Sequence, residues 1–448
     1  MAPACAPVAV PRAAAVTSAP EIAKHQRADY RRAAAVMTAP RVLLITPRYS
    51  YRIAAYLQAA KTLGMQVIVA SDGPHSLIGA LQKGIHLDLQ NPQAACEQLV
   101  SHAPAPHGII ATDDNVVELA ACVAQGLGLP GNPPSAGRFA RRKDHARARL
   151  QARGVPVPAH QTMALTDIAA GAFPDITFPL VVKPLAMSAS RGVIRVDDHD
   201  ALRLAGQRIA RIVATSAHVD ERERVLLEEY LPGTEIAVEG LLHRGRLHIV
   251  AVFDKPEPLT GPFFEESYYV TPSALTATTL RDVTEVVQAT CDAYGLRHGP
   301  IHAELRINAE GVWVLETAAR TIGGQCAMLV EFATGQSLEE LVLRNALDEP
   351  PPVSRLHNAA GVLMIPIPRP GVLRRIEGVL DAQRVPGVEK LELWVREGHE
   401  LVPLPEGASY LGFIFATGDD ARQVQQSLRH AHACLNIVTA PKWDIVAA

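Results

Sequence analysis

The sequence predicts an α/β (α+β) protein with a parallel βαβ domain first, an antiparallel hairpin-built region second and a small α+β cap last. Three observations predict it. Strand-like RVLLIT, QVIVAS, GIHLDL and GIIATDD alternate with helix-length stretches from residue 41 onward, the pattern of parallel strands joined by crossover helices. HAELRINAEGVWVLETAAR, residues 302–320, alternates apolar and polar side chains on either side of a short turn, as a hairpin does. EPPPV, residues 349–353, is a stiff break, beyond which GVLMIPI, LELWV and SYLGFIFATG read as strands and Ala421–Ala433 as a helix. The boundaries are therefore drawn at 1–40, 41–138, 139–350 and 351–448.

Residues 1–40 are rich in Ala and Pro and carry five Arg/Lys against Glu21 and Asp29, with no sustained period. A disordered extension is expected there. It has neither the continuous apolar core of a secretion signal nor the serine content of a transit peptide. The whole chain, 448 residues and 48% hydrophobic, can build large cores, and no apolar run approaches the length of a membrane span. A formal net charge of −3 leaves no polyanion-binding footprint, so neither nucleic acid nor a membrane surface is an expected partner. Cys5, Cys96, Cys122, Cys291, Cys326 and Cys434 are scattered without C-x-x-C spacing, which predicts reduced thiols and a cytoplasmic location.

In the first domain, Gly126-Leu-Gly128-Leu-Pro-Gly131 spells G-x-G-x-x-G, but it follows a helical segment and runs into Asn132-Pro133-Pro134. A dinucleotide fingerprint needs a strand before and a helix after, so this one is rejected. In the second domain, FPLVVKP sets Lys183 at a strand end, where its charge can be aimed at a phosphate. The small-residue loop Ala186–Gly192, with Ser188 and Ser190, follows; its amides and hydroxyls suit anionic oxygens, and equally a plain polar turn. Lys143 lies on the basic stretch ARRKDHARARL, which by itself reads as a solvated helix face. VLLEEYLPGTEIAVEG, residues 225–240, places Glu228, Glu229, Leu231 and Glu235 around a Pro-Gly bend. The backbone of such a bend can meet an adenine edge and a carboxylate can meet ribose hydroxyls; a hairpin with exposed acids is the plain alternative.

The hairpin at 302–320 poses the sharpest chemical question. A three-residue loop Ala309-Glu310-Gly311 pairs Asn308 with Val312, and therefore Glu304 with Glu316 on one face. Like charges directly opposite are destabilising unless compensated. Either Arg306 screens a solvated pair, or the pair holds a hard divalent cation such as Mg²⁺. Beyond it, Arg320 followed by Gly323 and Gly324 offers a guanidinium and exposed amides to a carboxylate or acyl phosphate.

Lys143, Lys183 with its Ser/Gly loop, the EEYL bend, Glu235, Glu304, Glu316 and Arg320 occur in an order that resembles the ATP-grasp superfamily, from about Val42 to the C-terminus. Within it the chain looks most like carboxylate–amine ligases of the L-amino-acid ligase (dipeptide synthase) type. The resemblance implies an ATP-grasp fold with a preceding βαβ domain and a C-terminal cap, and ATP and Mg²⁺ (or Mn²⁺) as cofactors. It assigns ATP phosphates to Lys143, Lys183 and the Ser188, Ser190, Gly192 loop. Adenine falls to the backbone near Glu228, Glu229 and Leu231, and ribose to Glu235. The metal falls to Glu304 and Glu316, and the substrate carboxylate and acyl phosphate to Arg320 with Gly323 and Gly324. GPFFEESYYVTPS resembles the ligases' substrate loop, which gives Glu266 the substrate amino group. The partners implied are a carboxylate and an amine, amino acids above all, and the family suggests homodimers. Two positions depart from the family pattern: Ala318 stands where many members have a metal-binding asparagine, and Tyr269 where the ligase loop carries histidine. Inside the superfamily the rival is a biotin-carboxylase-like or purine-biosynthesis type of enzyme activating bicarbonate or formate. Outside it, Ala318 suggests a nucleotide-binding protein without catalysis.

Overall fold

The computed structural model describes residues 39–72, 84–173, 176–216, 218–352 and 357–442. The expected extension 1–40 falls, up to residue 38, outside them, as does the last residue of the 349–353 break.

Four parallel strands open the fold: β1 (Arg41–Thr46), β2 (Gln66–Ser71), β3 (Gly84–His86) and β4 (Gly108–Ala111), in the order β3-β2-β1-β4. The parallel βαβ pattern is borne out. Val42, Leu43, Leu44 and Ile45 are all fully buried, because alternate residues of β1 face helices on both sides of the sheet. On one side, helices Pro92–His102 and Val117–Leu127 pack together, and Cys96 and Cys122 are joined there as a disulfide with their Cα atoms 6.3 Å apart. The expectation of separate reduced thiols is corrected at this pair. The two cysteines lie 26 residues apart in sequence, and only the packing of these helices makes them neighbours.

A second sheet follows, from β5 (His160–Ala164), β6 (Leu180–Pro184), β7 (Ile194–Val196) and β8 (Arg224–Glu229), all antiparallel, with the amphipathic helix His199–Val213 on one face. The third sheet is the largest. It takes β9 (Thr234–His243), β10 (Arg246–Asp254), β11 (Tyr268–Thr271), β12 (Gly299–Asn308), β13 (Gly311–Ala318) and β14 (Ala359–Ile365). Among the last strands, β15 (Gly371–Glu377), β16 (Val388–Leu393), β17 (Glu400–Leu401), β18 (Gly412–Gly418) and β19 (Asn436–Ala440), only β16 and β18 join it. Its order is β13-β12-β9-β10-β11-β14-β18-β16, so one continuous sheet runs across residue 350. β14 is buried along its whole length, which its unbroken apolar sequence AAGVLMI demands. Ala421–Ala433 forms the final helix at the expected residues.

The hairpin β12–β13 brings Glu304 opposite Glu316, as expected, by a different route. The turn has two central residues, Ala309 and Glu310, and pairs Asn308 with Gly311, whose φ of 137° suits glycine alone. Asn308 Oδ1 accepts from the Glu310 amide and from Trp313 Nε1, which favours this tighter turn over the three-residue one. A bulge between Glu304 and Leu305 then shifts the register by one residue and restores the glutamate pair. At the bulge, the carbonyl of Leu315 accepts from Arg147 Nη2 at 2.5 Å.

Candidate active site

A period of two along β9 and β12 builds the site. Ala303, Leu305 and Ile307 of β12 pack into the core beside the helix Ala277–Tyr294, which leaves His302, Glu304 and Arg306 on the opposite face. They meet a matching row on β9, with Arg306 opposite Glu235 and His302 opposite Glu239. The row borders a cleft of about 570 Å³, a size suited to a drug-sized ligand, and residues on or next to the three sheets described above converge on it. Every residue singled out in the sequence except Gly192 lines it: Lys143, Lys183, Ser188, Ser190, Glu228, Glu229, Leu231, Glu235, Glu266, Glu304, Glu316, Arg320, Gly323 and Gly324.

Geometry corrects several roles expected from spacing. Glu228 is not an exposed hinge acid: its carboxylate is buried with Arg147 Nε at 2.6 Å and Lys183 Nζ at 2.5 Å. Burial alone would raise its pKa, but the two cations outweigh burial and hold it down at about 2. It therefore fixes Lys183 against the cleft wall. Gly192 does not open its amide to the cleft, because that N–H donates to the Pro405 carbonyl at 2.9 Å, while Arg191 Nε donates to the Glu406 carbonyl. The loop is tied to the C-terminal segment instead, and a Cβ at Gly192 would strike the Pro184 ring at 2.6 Å. Ala189 and Ser190 both hold left-handed backbone, with φ of 56° and 53°, an arrangement that costs energy in non-glycine residues and recurs at functional loops. Along the EEYL bend, the Leu231 carbonyl accepts from Arg306 Nη1 and the Glu229 amide donates to Ala159, so part of that backbone is already committed.

The paired glutamates are compensated by protein cations. Lys143 Nζ lies 3.0 Å from Glu316 and donates to the Met187 carbonyl at 2.7 Å. On the other strand, Lys255 Nζ lies 3.4 Å and His302 Nε2 3.5 Å from Glu304. Burial would raise the pKa of Glu304, but Lys255 and His302 outweigh it and hold this carboxyl well below the usual range. His302 in turn is raised, because Glu239 and Glu304 outweigh the cost of burial. Arg306 does not screen the glutamate pair; it grips Glu235 Oε2 through a short contact.

Glu266 has partners of its own. Lys255 Nζ donates to one carboxylate oxygen at 2.6 Å and the Tyr269 hydroxyl to the other at 2.7 Å. Burial and the neighbouring Glu304 charge raise its pKa to about 7 in spite of Lys255. Arg320 reaches across to the first domain, where Nε and Nη2 donate to Asp114 Oδ2 at 3.1 and 2.9 Å. Gly324 has φ of 60°, and a Cβ there would meet Met364 Sδ at 2.4 Å, so this glycine keeps the backbone close to the third sheet.

Spacing gave no signal for Lys255, Arg147 or Asp114. Lys255 merely follows β10 in FDKPEP, Arg147 is one cation of a basic helix, and Asp114 lies beyond β4 at the end of the stretch GIIATDD. A buried polar side chain without an apolar pattern announces itself only in three dimensions. Asp114 Oδ1, on the cleft wall, is buried and makes no hydrogen bond, as a group set to meet a further ligand would be left. The donor set suits a hard cation, since Glu304 and Glu316 are carboxylates on facing strands that share a cleft with Lys143 and Lys183, whose charges suit phosphate oxygens. Ala318 supplies no third ligand.

Three family models match the chain: an ATP-grasp domain over residues 176–328, an ATP-grasp N-terminal domain over 57–131, and an L-amino acid ligase C-terminal domain 2 over 363–440. Carnosine synthase 1 of Gallus gallus is 29% identical over 317 residues, covering 66% of this chain and 34% of that protein. The alanine–anticapsin ligase of Bacillus subtilis is 25% identical over 281 residues, covering 58% of each chain. The chain thus spans only about a third to three fifths of the length of these relatives. The crystal structure of an L-amino acid ligase from Bacillus licheniformis superposes with a TM-score of 0.77 at 26% identity, covering 90% of this chain and 100% of that one.

Proposed function

From the premise that this chain belongs to the ATP-grasp superfamily, with an L-amino acid ligase type of C-terminal domain, we propose that it is an ATP-dependent carboxylate–amine ligase acting on an amino acid. The observation that carries the reading is the convergence of Lys143, Lys183, Glu304, Glu316, Arg320 and Glu266 on one cleft. A substrate carboxylate oxygen attacks the γ-phosphorus of ATP, the bond to the β-phosphate oxygen breaks, and ADP leaves. The amine then attacks the acyl carbon, phosphate departs with the bridging oxygen, and the nitrogen loses a proton to solvent. Lys143 and Lys183 bind the phosphates, Arg320 orients the carboxylate, and the Ser188–Gly192 loop excludes water from the acyl phosphate. Glu304 and Glu316 would hold a divalent ion, which would supply charge neutralisation on the phosphates. The L-amino acid ligase C-terminal match favours this reading over bicarbonate or formate activation.

Incubation with Mg²⁺–ATP and pools of L-amino acids, against formate and bicarbonate, tests it by phosphate release. Amino-acid-dependent ADP and phosphate are the expected products, and hydroxylamine traps the acyl phosphate as a hydroxamate. AMP and pyrophosphate as stoichiometric products would sink the mechanism, and nucleotide binding without turnover would leave a non-catalytic protein.

Glu266 gives a pH dependence with a definite sign. With its pKa at about 7 it is largely protonated at pH 6 and ionised at pH 8, so an ammonium is held better as pH rises through that window. The KM of the amino-acid donor is expected to fall from pH 6 to pH 8 while the KM for ATP stays level. Glu266→Ala is expected to raise the donor KM and abolish that slope. A des-amino analogue used equally well by the wild-type enzyme would count against an amino-acid donor.

A further inference from the structure

Lys255 has no part in the nucleotide or substrate binding proposed above, yet three acids converge on it. Its Nζ lies 2.8 Å from Glu235, 2.6 Å from Glu266 and 3.4 Å from Glu304. One oxygen from each of these carboxylates falls within 4.8 Å of the others, close enough for a single divalent ion to collect all three. The ammonium sits among them. Its place is fixed by the chain, because the Lys255 amide donates to the Glu235 carbonyl where β10 ends beside β9. The ring of Tyr269 lies 5.1 Å from Nζ, and Lys255 is only 4% exposed. An ammonium has three donors around a compact charge, which matches three convergent carboxylates where a planar guanidinium would not.

We propose that Lys255 is a resident cation that takes the place of a metal ion among Glu235, Glu266 and Glu304, keeps divalent ions out of that cluster, and so confines metal binding to the Glu304–Glu316 pair. Charge explains the need. Arg306 holds the second oxygen of Glu235 and His302 flanks Glu304, but apart from Lys255 the only hydrogen-bond donor to Glu266 among the described residues is the neutral Tyr269 hydroxyl. Without Lys255 the cluster becomes a trap for a free cation beside the acid that is to receive a substrate ammonium. A metal lodged there would compete with that ammonium for Glu266. The exclusion rests on geometry alone, whereas the confinement to Glu304–Glu316 rests on the function proposed above.

Mn²⁺ added to the full chain without nucleotide, with free Mn²⁺ counted by electron paramagnetic resonance, separates the two. Lys255→Ser is expected to bind an additional Mn²⁺ ion, roughly tenfold or more tighter than any site of the wild type. The double variant Lys255→Ser/Glu266→Gln is expected to lose it again, and Lys255→Arg not to gain it. No additional ion in Lys255→Ser overturns the proposal. Should that variant not fold, the wild-type background decides: Glu316→Gln is expected to weaken Mn²⁺ binding and Glu266→Gln to leave it unchanged. A roughly tenfold loss on Glu266→Gln would mean that the cluster holds metal beside Lys255 and would overturn the exclusion. An unchanged Mn²⁺ affinity in Glu316→Gln overturns only the confinement, and ADP formation tests the ligase reading separately.

Discussion

Glu316→Gln is expected to lower kcat by about 10²–10³ while the protein stays folded, because the lost charge is one that neutralises the transferring phosphoryl group. The substitution keeps shape and hydrogen-bonding capacity on β13 and removes only the negative charge. The repulsion between Glu304 and Glu316 is already offset, by Lys143 at 3.0 Å on one side and Lys255 and His302 on the other. Stability is therefore expected to change by no more than about 1 kcal/mol, the scale of a partly exposed ion pair. Steady-state kinetics alongside thermal denaturation reads both quantities. Near-wild-type turnover would reduce the glutamate pair to a structural feature.

Glu228→Ala is expected to destabilise the protein by roughly 3–5 kcal/mol, since it leaves Arg147 and Lys183 buried without their shared counter-ion. Glu228→Gln, which keeps the volume, should cost less and still release Lys183 from its position, so activity falls in both. The pH dependence follows from the lowered pKa. A carboxyl held at about 2 in the folded state stabilises fully above its unfolded value near 4.5 and loses that contribution as pH falls from about 4.5 to about 2. Wild-type stability in urea should therefore fall through that acid window more steeply than that of Glu228→Gln. Parallel acid profiles for the two proteins would remove Glu228 as the buried anchor of Lys183.

Local patterning determined much of this protein. The alternation of strands and helix-length segments gave the parallel first sheet, and the apolar run GVLMIPI gave a strand, which the structure places at Ala359–Ile365 and buries along its length. The two-residue period of HAELRIN put His302, Glu304 and Arg306 on one face of a strand, because that period is a property of the backbone and survives any packing. The order of lysines, glutamates and arginine likewise gathered residues that do line one cleft. What each charged group does there was decided elsewhere. Glu304 meets Glu316 through a two-residue turn and a bulge whose effects cancel, and two such errors are invisible to a register counted along the sequence. Glu228 turned inward because Arg147, 81 positions earlier, and Lys183, 45 earlier, close on it from other elements. Cys96 and Cys122 became neighbours only when two helices packed on the same sheet face. Lys255 carries no periodic signal, and its meaning lies in three carboxylates brought from β9, β12 and the loop before β11. Spacing fixes which face a side chain leaves its strand, because that is local geometry, whereas the partner of a buried charge is chosen by whatever the tertiary fold brings within about 4 Å of it.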